Sequence, residues 1–370
     1  MEESIRYRQF KNCIKYATLG DIIGYRNGVG EFNGLKNDFM ISVINLYQFI
    51  SNGGISVIPH KDWKASDDTI LNLATCKALL KDYNSLEELY QFFAEEYIDA
   101  YEKEKENNRE FGLKTIESIN YIKNIDGQKW DILKYDKKST GSGCSIRTMS
   151  IGLAFFGKDN RKKLVQVAIE AGRITHNNAI GYLGGVVTAL FTAFAIEKID
   201  PDKWVFKMLK ILNSNYIDDY IKKSNGYNSY EQQYKDDKEY FIDMWEDYVH
   251  KRFKNKKFRE DPRMSYPDHR SAFYNNNFAL VKKRVFPGES GHDSVIIAYD
   301  CLLDSKHQLE TLIIYSMYHV GDSDTTGSIA GSLFGMTFGL DLKASLYQNI
   351  EFSEEVINIT DKLYKKYARE

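Results

Sequence analysis

Cysteine and proline are scarce in this chain of 370 residues, which contains four cysteines and five prolines. The cysteines, Cys13, Cys76, Cys144 and Cys301, stand far apart and form no CxxC pair and no zinc-ligand spacing. This pattern excludes a disulfide-stapled scaffold and favours a reducing compartment, so we expect a cytoplasmic protein. Because there is no glycine- and serine-rich linker and no repeat of fixed period, residues 1–370 are expected to form a single domain.

An excess of charge of one sign is also missing, since 50 lysines and arginines face 52 aspartates and glutamates. The resulting net charge of -2 provides no global field that would attract a polyanion. A local basic run at 251–257 is offset by acidic residues within 236–247, and we interpret it as the solvated face of a helix. Nucleic acid is therefore not an expected partner.

Long hydrophobic runs are nearly absent, and the exception is Ala179–Ile196, which is 18 residues without a charge. That length touches the lower limit for a membrane-spanning helix. The run contains Gly181, Gly184 and Gly185 and stands alone, so we predict a helix buried at the centre of a helical protein, with no membrane role. Residues 5–16 mix four basic residues into an amphipathic pattern and do not resemble a signal peptide.

Apolar residues recur at helical spacing through most of the chain, whereas no strand-like alternation is convincing. The predicted fold class is therefore all-α. Helices are predicted at residues 5–19, 39–51, 67–81, 86–105, 161–173, 178–197, 203–213, 228–253, 292–302, 307–318, 326–335 and 353–367. Three long glycine-containing loops are predicted between them, at 28–37, 126–145 and 261–291. Loops of that length in a helical domain often carry function.

Two short acidic clusters lie far apart in the chain, and each combines two carboxylates with hydroxyl side chains. They are residues 66–69, Ser-Asp-Asp-Thr, and residues 322–325, Asp-Ser-Asp-Thr. Each precedes an apolar stretch and is placed at a helix N-terminus, where Ser and Asp are ordinary capping residues. If the fold brings the two clusters together, their oxygen atoms suit two Mg²⁺ or Mn²⁺ ions, because hard cations prefer such ligands.

Six short blocks follow one another over most of the chain. They are residues 20–32 (GDIIGYRNGVGEF), 66–78 (SDDTILNLATCKA), 141–149 (GSGCSIRTM), 172–176 (GRITH), 290–293 (SGHD) and 321–327 (GDSDTTG). In this order they resemble the ADP-ribosylglycohydrolase family and, within it, the ADP-ribosylarginine hydrolase branch. Each string alone has little specificity, but coincidence does not explain six of them in the family's order.

The resemblance implies a fold, a cofactor and a set of site residues. The fold is a single large orthogonal helical domain, and the cofactor is a pair of Mg²⁺ ions, for which Mn²⁺ is a possible substitute. The implied metal ligands are Ser66, Asp67, Asp68, Asp322, Asp324 and Thr325. The implied catalytic residues are Glu31, Asp67 and Asp68. The implied substrate-binding residues are Gly141, Ser142, Gly143, Cys144, Ser145, Arg147, His176, Tyr274, Ser290, Gly291 and His292.

Local chemistry bears on several of these substrate-binding residues. The Gly141-Ser142-Gly143 loop precedes a helix start, where backbone N–H groups can form an anion nest suited to a pyrophosphate. Tyr274 is expected on the 261–291 loop, over the adenosine end of the ligand. His176 and His292 are, without the resemblance, most simply interpreted as structural histidines.

The implied function is that of a monomeric hydrolase that acts on ADP-ribosylated proteins, releases ADP-ribose and cleaves the N-glycosidic bond to arginine. Cleavage at an anomeric carbon passes through an oxocarbenium-like state, which nearby carboxylates stabilise while metal ions orient the attacking water. Two alternatives stay open: another ADP-ribosyl linkage (serine, O-acetyl-ADP-ribose or nucleic acid), and an inactive relative that binds ADP-ribose. Asn177 and Asn178 depart from the branch's pattern after His176, so we expect them to affect the choice of leaving group.

Overall fold

The helices predicted from apolar spacing are present in the structure, a computed structural model that describes residues 4–32, 39–58, 61–125, 129–280, 286–339, 346–347 and 350–368. Within these residues there are sixteen α-helices, which confirms the all-α class. They are α1 (Ile5–Tyr25), α2 (Met40–Ser51), α3 (Asp67–Leu80), α4 (Leu86–Glu106), α5 (Leu113–Lys123), α6 (Met149–Ala154), α7 (Arg161–Arg173), α8 (Ala179–Ile196), α9 (Trp204–Leu212), α10 (Asn215–Ile221), α11 (Glu231–Arg252), α12 (Pro267–Asn277), α13 (Gly291–Asp304), α14 (Leu309–Met317), α15 (Ser323–Phe338) and α16 (Ser353–Tyr367). Short 3-10 turns lie at Arg26–Gly28, Gly54–Ser56, Ser142–Cys144, Lys158–Asn160, Pro201–Lys203, Tyr227–Ser229 and Pro262–Ser265.

α8 is the central helix, and all of its residues are buried. It begins at Ala179, where the side chain of Asn178 accepts a hydrogen bond from the Ile180 backbone N–H at 2.8 Å. Helices α6, α7, α11, α13 and α15 pack around it. The packing depends on glycine, because a Cβ added to Gly184 would lie 2.2 Å from the carbonyl oxygen of Gly291. Among the described residues this is the one helix long and apolar enough to cross a membrane, and its complete burial confirms the predicted core helix.

Helices α1 and α15 pack against each other more extensively than any other pair in the described part of the chain. Their backbones touch at glycines, since a Cβ on Gly20 would lie 2.1 Å from the carbonyl oxygen of Gly327, and one on Gly24 would lie 2.2 Å from that of Ser323. Larger side chains at these positions would force the helices apart. The close crossing places Asp21, in α1, within electrostatic reach of the first turn of α15.

Four shorter helices, α5, α6, α10 and α12, lie outside the predicted set. Helix α12 falls within the predicted loop 261–291, so that prediction is wrong over much of its length. Pro267 takes the first helical position, where its missing N–H is not needed. Arg270 and Tyr274 then form a buried face of the helix. Because this face is stabilised by partners from α13, no local pattern in the sequence reveals it.

The other two predicted loops are irregular where they are described, apart from single 3-10 turns. Residues 33–38 of the first and 126–128 of the second lie outside the described residues. Both loops contain candidate site residues, namely Glu31 in the first and Ser142 in the second.

The basic run at 251–257 does not form a solvated helix face. Helix α11 ends at Arg252, and the chain then turns back in a short antiparallel pair that joins Phe253–Lys254 to Lys257–Phe258. This pair is the one piece of β-sheet among the residues that the structure describes. The Arg252 guanidinium is buried and binds Asp300 and Asp304, so one cation of the run stabilises the interior.

Candidate metal centre

The two acidic clusters meet in the structure at the N-termini of α3 and α15. Ser66 is the N-cap of α3, and its hydroxyl oxygen accepts a hydrogen bond from the Asp68 backbone N–H at 3.1 Å. The hydroxyl of Thr325, in the first turn of α15, donates to Asp68 Oδ2 at 2.8 Å and joins the two helix ends. Asp322 occupies the N-cap position of α15 but makes no side-chain cap bond. Both clusters are therefore at helix N-termini, as predicted, and they share one site.

Glu31 reaches the same site from the turn that follows α1. The backbone of this turn is fixed at both ends, because the Gly30 N–H donates to the last residue of α1 at 2.9 Å and the Phe32 N–H donates to the residue before Asp322 at 3.0 Å. One carboxylate oxygen each of Glu31, Asp322 and Asp324 lies within 4.8 Å of the others. A group of acidic oxygens this close could hold a metal ion.

No cationic side chain of the described residues forms an ion pair with these carboxylates. Burial and the charge of Asp324 raise the pKa of Glu31 to about 9, and burial raises the pKa of Asp67 to about 7. Burial and the charge of Asp324 also raise the pKa values of Asp68 and Asp322. Oxygen donors that repel one another this strongly fit a divalent cation, because the ion supplies the positive charge that the protein lacks.

Asp21 is a site residue that the sequence interpretation missed. It is fully buried, and its carboxylate accepts hydrogen bonds from the backbone N–H groups of Ser66 at 3.1 Å and Thr69 at 3.2 Å, and from the Thr69 hydroxyl. These bonds join the first turn of α3 to α1. Burial and the charge of Asp324 raise the pKa of Asp21 to about 7. A carboxylate inside the apolar run of α1 is the signal that could have identified it, since an aspartate is rarely fully buried unless it has bonding partners.

The predicted anion nest borders the same carboxylates. The Ser142 hydroxyl donates to Asp322 Oδ2 at 3.1 Å. An antiparallel bridge between Gly141 and Ser290 holds the loop, with backbone hydrogen bonds of 2.9 and 3.1 Å around it. The fold thus brings two of the glycine-containing blocks together beside the N-terminus of α15.

Cys144, Ser145 and Arg147 point into the protein. The Cys144 thiol and the Ser145 hydroxyl each donate to a backbone carbonyl at 3.4 Å. The Arg147 guanidinium is fully buried, lies 4.4 Å from the ring centre of Tyr97 and donates from Nη2 to Thr175 Oγ1 at 2.6 Å. These three side chains support the nest from beneath, and their contact with substrate stays a prediction.

His176 packs directly against the nest. A Cβ added to Gly143 would lie 2.9 Å from His176 Cε1, and one on Gly141 would lie 3.1 Å from Nε2. The Thr175 hydroxyl accepts a hydrogen bond from Arg147 Nη2 at 2.6 Å and forms a second one with His176 Nδ1 at 2.8 Å. Burial lowers the pKa of His176 to about 3. The ring is therefore neutral near pH 7, and its Nε2 faces Gly141.

Tyr274 does not lie on a loop over the site, whereas His292 lies at the start of a helix, as predicted. Tyr274 is enclosed in α12, and its hydroxyl donates to Asp300 Oδ2 at 2.7 Å. His292 is in the first turn of α13, where its Nε2 donates to the Phe278 carbonyl at 2.7 Å and burial lowers its pKa to about 4. Both side chains are fully buried and bonded within the protein, which favours a structural role, and their contact with substrate stays a prediction.

Asn177 and Asn178 are also buried and bonded within the protein. Besides capping α8, Asn178 donates from Nδ2 to Asp237 Oδ2 at 2.9 Å. Asn177 donates from Nδ2 to the Leu133 carbonyl at 2.8 Å and accepts from Arg173 Nε at 3.1 Å. Each amide uses both its donor and its acceptor, which favours a structural role over the expected influence on the leaving group.

Together these features define a class of protein: an all-α fold with an acidic centre at two helix N-termini, beside a glycine-rich loop. The acidic centre consists of the carboxylates of Glu31, Asp67, Asp68, Asp322 and Asp324. The family model of ADP-ribosylglycohydrolases matches residues 4–370, and the chain belongs to this family. The resemblance found in the six sequence blocks is thereby confirmed, and family membership supports a hydrolase activity.

Individual relatives agree with this assignment. The chain is 40% identical over 357 residues to a protein of Acanthamoeba polyphaga mimivirus named as an ADP-ribosyl glycohydrolase, with 93% of this chain and 67% of the relative covered. It is 30% identical over 365 residues to ADP-ribosylhydrolase ARH1 of Dictyostelium discoideum, with 94% and 92% covered. A solved structure titled ADP-ribosylglycohydrolase-related protein complex matches with a TM-score of 0.58 at 15% identity, over 98% of this chain and 99% of that chain, which shows a shared fold.

Proposed function

We propose that this protein is a magnesium-dependent hydrolase that removes ADP-ribose from modified proteins by cleaving the N-glycosidic bond of ADP-ribosylarginine. The observation that carries the proposal is the close group of carboxylates from Glu31, Asp322 and Asp324, which Thr325 joins to Asp68 at the start of α3 and which forms no ion pair with a cation among the described residues. The arginine linkage rests on the likeness of residues 20–32 to the arginine-specific branch of the family. An intact set of oxygen donors argues against an inactive relative, since loss of metal ligands marks such proteins.

Six residues would hold the cations, and all of them lie at the two helix N-termini. They are Ser66, Asp67, Asp68, Asp322, Asp324 and Thr325. Two Mg²⁺ ions suit this set, with Mn²⁺ as a substitute, because every donor is a hard oxygen atom. When bound, such ions supply Lewis acidity, which lowers the pKa of a water molecule and engages ribose hydroxyls.

The chain's own side chains contribute charge and orientation. Glu31, Asp67 and Asp68 would surround the anomeric carbon with negative charge, which stabilises the positive charge of an oxocarbenium-like transition state. The backbone N–H groups of the turn at 141–144 would orient the diphosphate, except that of Ser142, which already donates to the Glu289 carbonyl at 3.1 Å. Asp21 would keep the first turn of α3 in position through its three hydrogen bonds.

The cellular part of the proposal is that of a single-domain, monomeric, cytoplasmic enzyme. Four free, buried cysteines suit a reducing compartment. Its partners would be ADP-ribosylated proteins as substrate and ADP-ribose as product, without a membrane. Size-exclusion chromatography with light scattering would test the monomer, and an apparent mass of twice 42.9 kDa would contradict it.

The decisive test compares the release of ADP-ribose from arginine-, serine- and nucleic-acid-linked substrates and from O-acetyl-ADP-ribose, side by side in Mg²⁺. We expect the highest kcat/KM with the arginine linkage. The variant Asp324→Asn should be inactive on every substrate, whereas Asp159→Asn, a change at an exposed aspartate, should behave as wild type. A preference for another linkage would contradict the arginine assignment. If the protein released ADP-ribose from none of these substrates, the proposed hydrolase activity would be contradicted.

A further inference from the structure

The backbone that leads into Ser66 is held by side chains from three distant parts of the chain. The Asn27 side-chain oxygen accepts from the Lys64 backbone N–H at 2.7 Å. One residue later, Ala65 is bound on both of its backbone polar groups by Arg109 and Glu351. Ala65 is itself fully buried, and it directly precedes the N-cap residue of α3.

Arg109 and Glu351 close a ring of hydrogen bonds around Ala65. Glu351 Oε2 accepts from the Ala65 N–H at 2.8 Å, and Arg109 Nη1 donates to the Ala65 carbonyl at 2.5 Å. The ring is completed by Arg109 Nη2, which donates to Glu351 Oε1 at 2.8 Å. A two-pronged guanidinium and a two-oxygen carboxylate are needed for this arrangement, because each must bind two partners at once. The pair therefore fixes the position of one residue, and through it the start of α3.

The start of α3 has a physical reason to need such fixing. It carries Asp67 and Asp68 toward the carboxylates of α15, and their mutual repulsion pushes the two helix ends apart. The loop that contains Arg109 opposes this motion at a second point, where the Gly112 N–H donates to Asp67 Oδ2 at 3.1 Å. Arg109 and Glu351 contact no carboxylate of the centre and line a separate cleft of about 620 Å³.

We propose that the Arg109–Glu351 pair is a positioning unit that sets the affinity of the acidic centre for its cation. It holds the backbone before Ser66 so that the oxygen donors of α3 and α15 stay at the spacing that cation binding requires. The inference rests on the proposed function, because it takes the centre to bind Mg²⁺. Partners outside the ligand shell typically change metal affinity by about 10- to 100-fold when they are lost.

A competing explanation is that the two residues act only through their charge. Removing the positive charge in Arg109→Met would then strengthen cation binding, and removing the negative charge in Glu351→Met would weaken it. A positioning unit behaves differently, since both changes break the same ring and both weaken binding. The variant Arg109→Lys adds a further distinction, because it keeps the charge but cannot bind two partners in the same way.

The chain offers a matched control in Arg161 and Glu197. This pair is similarly enclosed, with 16% of each side chain exposed against 11% and 20% for Arg109 and Glu351. It shares the guanidinium–carboxylate pairing, since Arg161 Nη2 donates to Glu197 Oε1 at 2.8 Å and Glu197 accepts from the Gly157 backbone N–H at 2.8 Å, but among the described residues no backbone carbonyl accepts from Arg161. It joins α7 to the C-terminal end of α8 instead of the start of α3.

The experiment is a Mg²⁺ titration of each full-length variant by isothermal calorimetry, without substrate, after circular dichroism has confirmed folding. We expect Arg109→Met, Glu351→Met and Arg109→Lys each to raise the Kd for Mg²⁺ by about tenfold or more. Arg161→Met and Glu197→Met should leave it within about twofold.

Opposite changes in the two methionine variants, an unchanged Kd in Arg109→Lys, or equal weakening in the control pair would overturn this inference while leaving the proposed function intact. If a methionine variant does not fold, Arg109→Lys alone decides between position and charge. Wild-type protein that binds no Mg²⁺ would overturn the proposed function and this inference together.

Discussion

Two regions of the molecule bury two or more carboxylates each, and they differ in whether arginine side chains neutralise the negative charge. The first, the balanced network, consists of Arg252, Arg270, Asp300 and Asp304, contributed by α11, α12 and α13. Its two guanidiniums face its two carboxylates, and Arg252 Nε donates to Asp300 Oδ1 at 2.7 Å. Charge is neutralised inside the protein, so this network needs no partner.

The acidic centre consists of Glu31, Asp67, Asp68, Asp322 and Asp324, and it lacks such ion pairs, although the charge of the buried Arg147 acts on Asp67. No ion pair among the described residues includes any of the five. Burial and mutual repulsion instead raise the pKa values of several of these carboxyls. The comparison teaches that buried carboxylates by themselves do not indicate function; what indicates it is a missing counter-charge, which predicts a cation from outside.

The largest effect is expected when one carboxylate of the acidic centre is neutralised. Asp324→Asn keeps the shape of the side chain but removes the charge that holds the cations, so hydrolysis should fall by about 10⁴-fold, as when a member of a catalytic unit is lost. The same change should not lower, and in EDTA should raise, the free energy of unfolding, because it relieves repulsion. Turnover at the wild-type rate would show that Asp324 only caps a helix.

The matching change in the balanced network should affect stability instead of activity. Asp300→Asn leaves Arg252 and Arg270 short of a counter-charge, and breaking a buried ion pair in this way costs about 3–5 kcal/mol. Urea unfolding should reveal this loss equally with and without Mg²⁺, while the Kd for Mg²⁺ stays unchanged. A loss of stability that Mg²⁺ restores would mean that the two regions are not independent.

The acidic centre should also make the metal-free protein sensitive to pH. Glu31 and Asp67 have folded-state pKa values of about 9 and about 7, above their unfolded values of roughly 4. The stability that their protonated forms contribute is fully present below about pH 4 and is lost as the pH rises through these folded values. In EDTA, the melting temperature should therefore fall between pH 6 and pH 9.

Saturating Mg²⁺ should remove most of this decline, since a bound cation stabilises the ionised forms. Asp324→Asn is the control, and its melting temperature in EDTA should depend less on pH. A metal-free wild-type protein with the same melting temperature at pH 6 and pH 9 would contradict the strong repulsion inferred for the centre.

The smallest effect is expected at Asn178, which serves neither charged region. Asn178→Ala removes the cap of α8, so it should lower the free energy of unfolding by about 1 kcal/mol. The ratio of kcat/KM for two leaving groups should stay unchanged, because the side chain is buried and bonded within the protein. A changed ratio would restore this residue to the specificity role expected from sequence.

Sequence patterns placed the two acidic clusters correctly at helix N-termini because the chemistry of a helix cap is local. A helix N-cap and two carboxylates occur within four residues, as at Ser66 to Asp68, and are visible without the fold. Tyr274 shows the opposite case, since its position in a helix depends on Asp300 and Arg270, and no local spacing contains that information. Asp21 is an intermediate case, because its place in an apolar run is visible in the sequence but its partners are backbone N–H groups at the start of α3, far away in the chain.

We expect the acidic centre to bind a cation that supplies its missing counter-charge. This binding is tested most directly by melting the wild-type protein at pH 8 in EDTA and in Mg²⁺. If the cation binds only the folded state, Mg²⁺ at 100 times its Kd should add about 2.7 kcal/mol to the free energy of unfolding and raise the melting temperature. Asp324→Asn should show little of this increase, and Asp300→Asn should show all of it. Superimposed wild-type curves in EDTA and Mg²⁺ would contradict a cation at this centre.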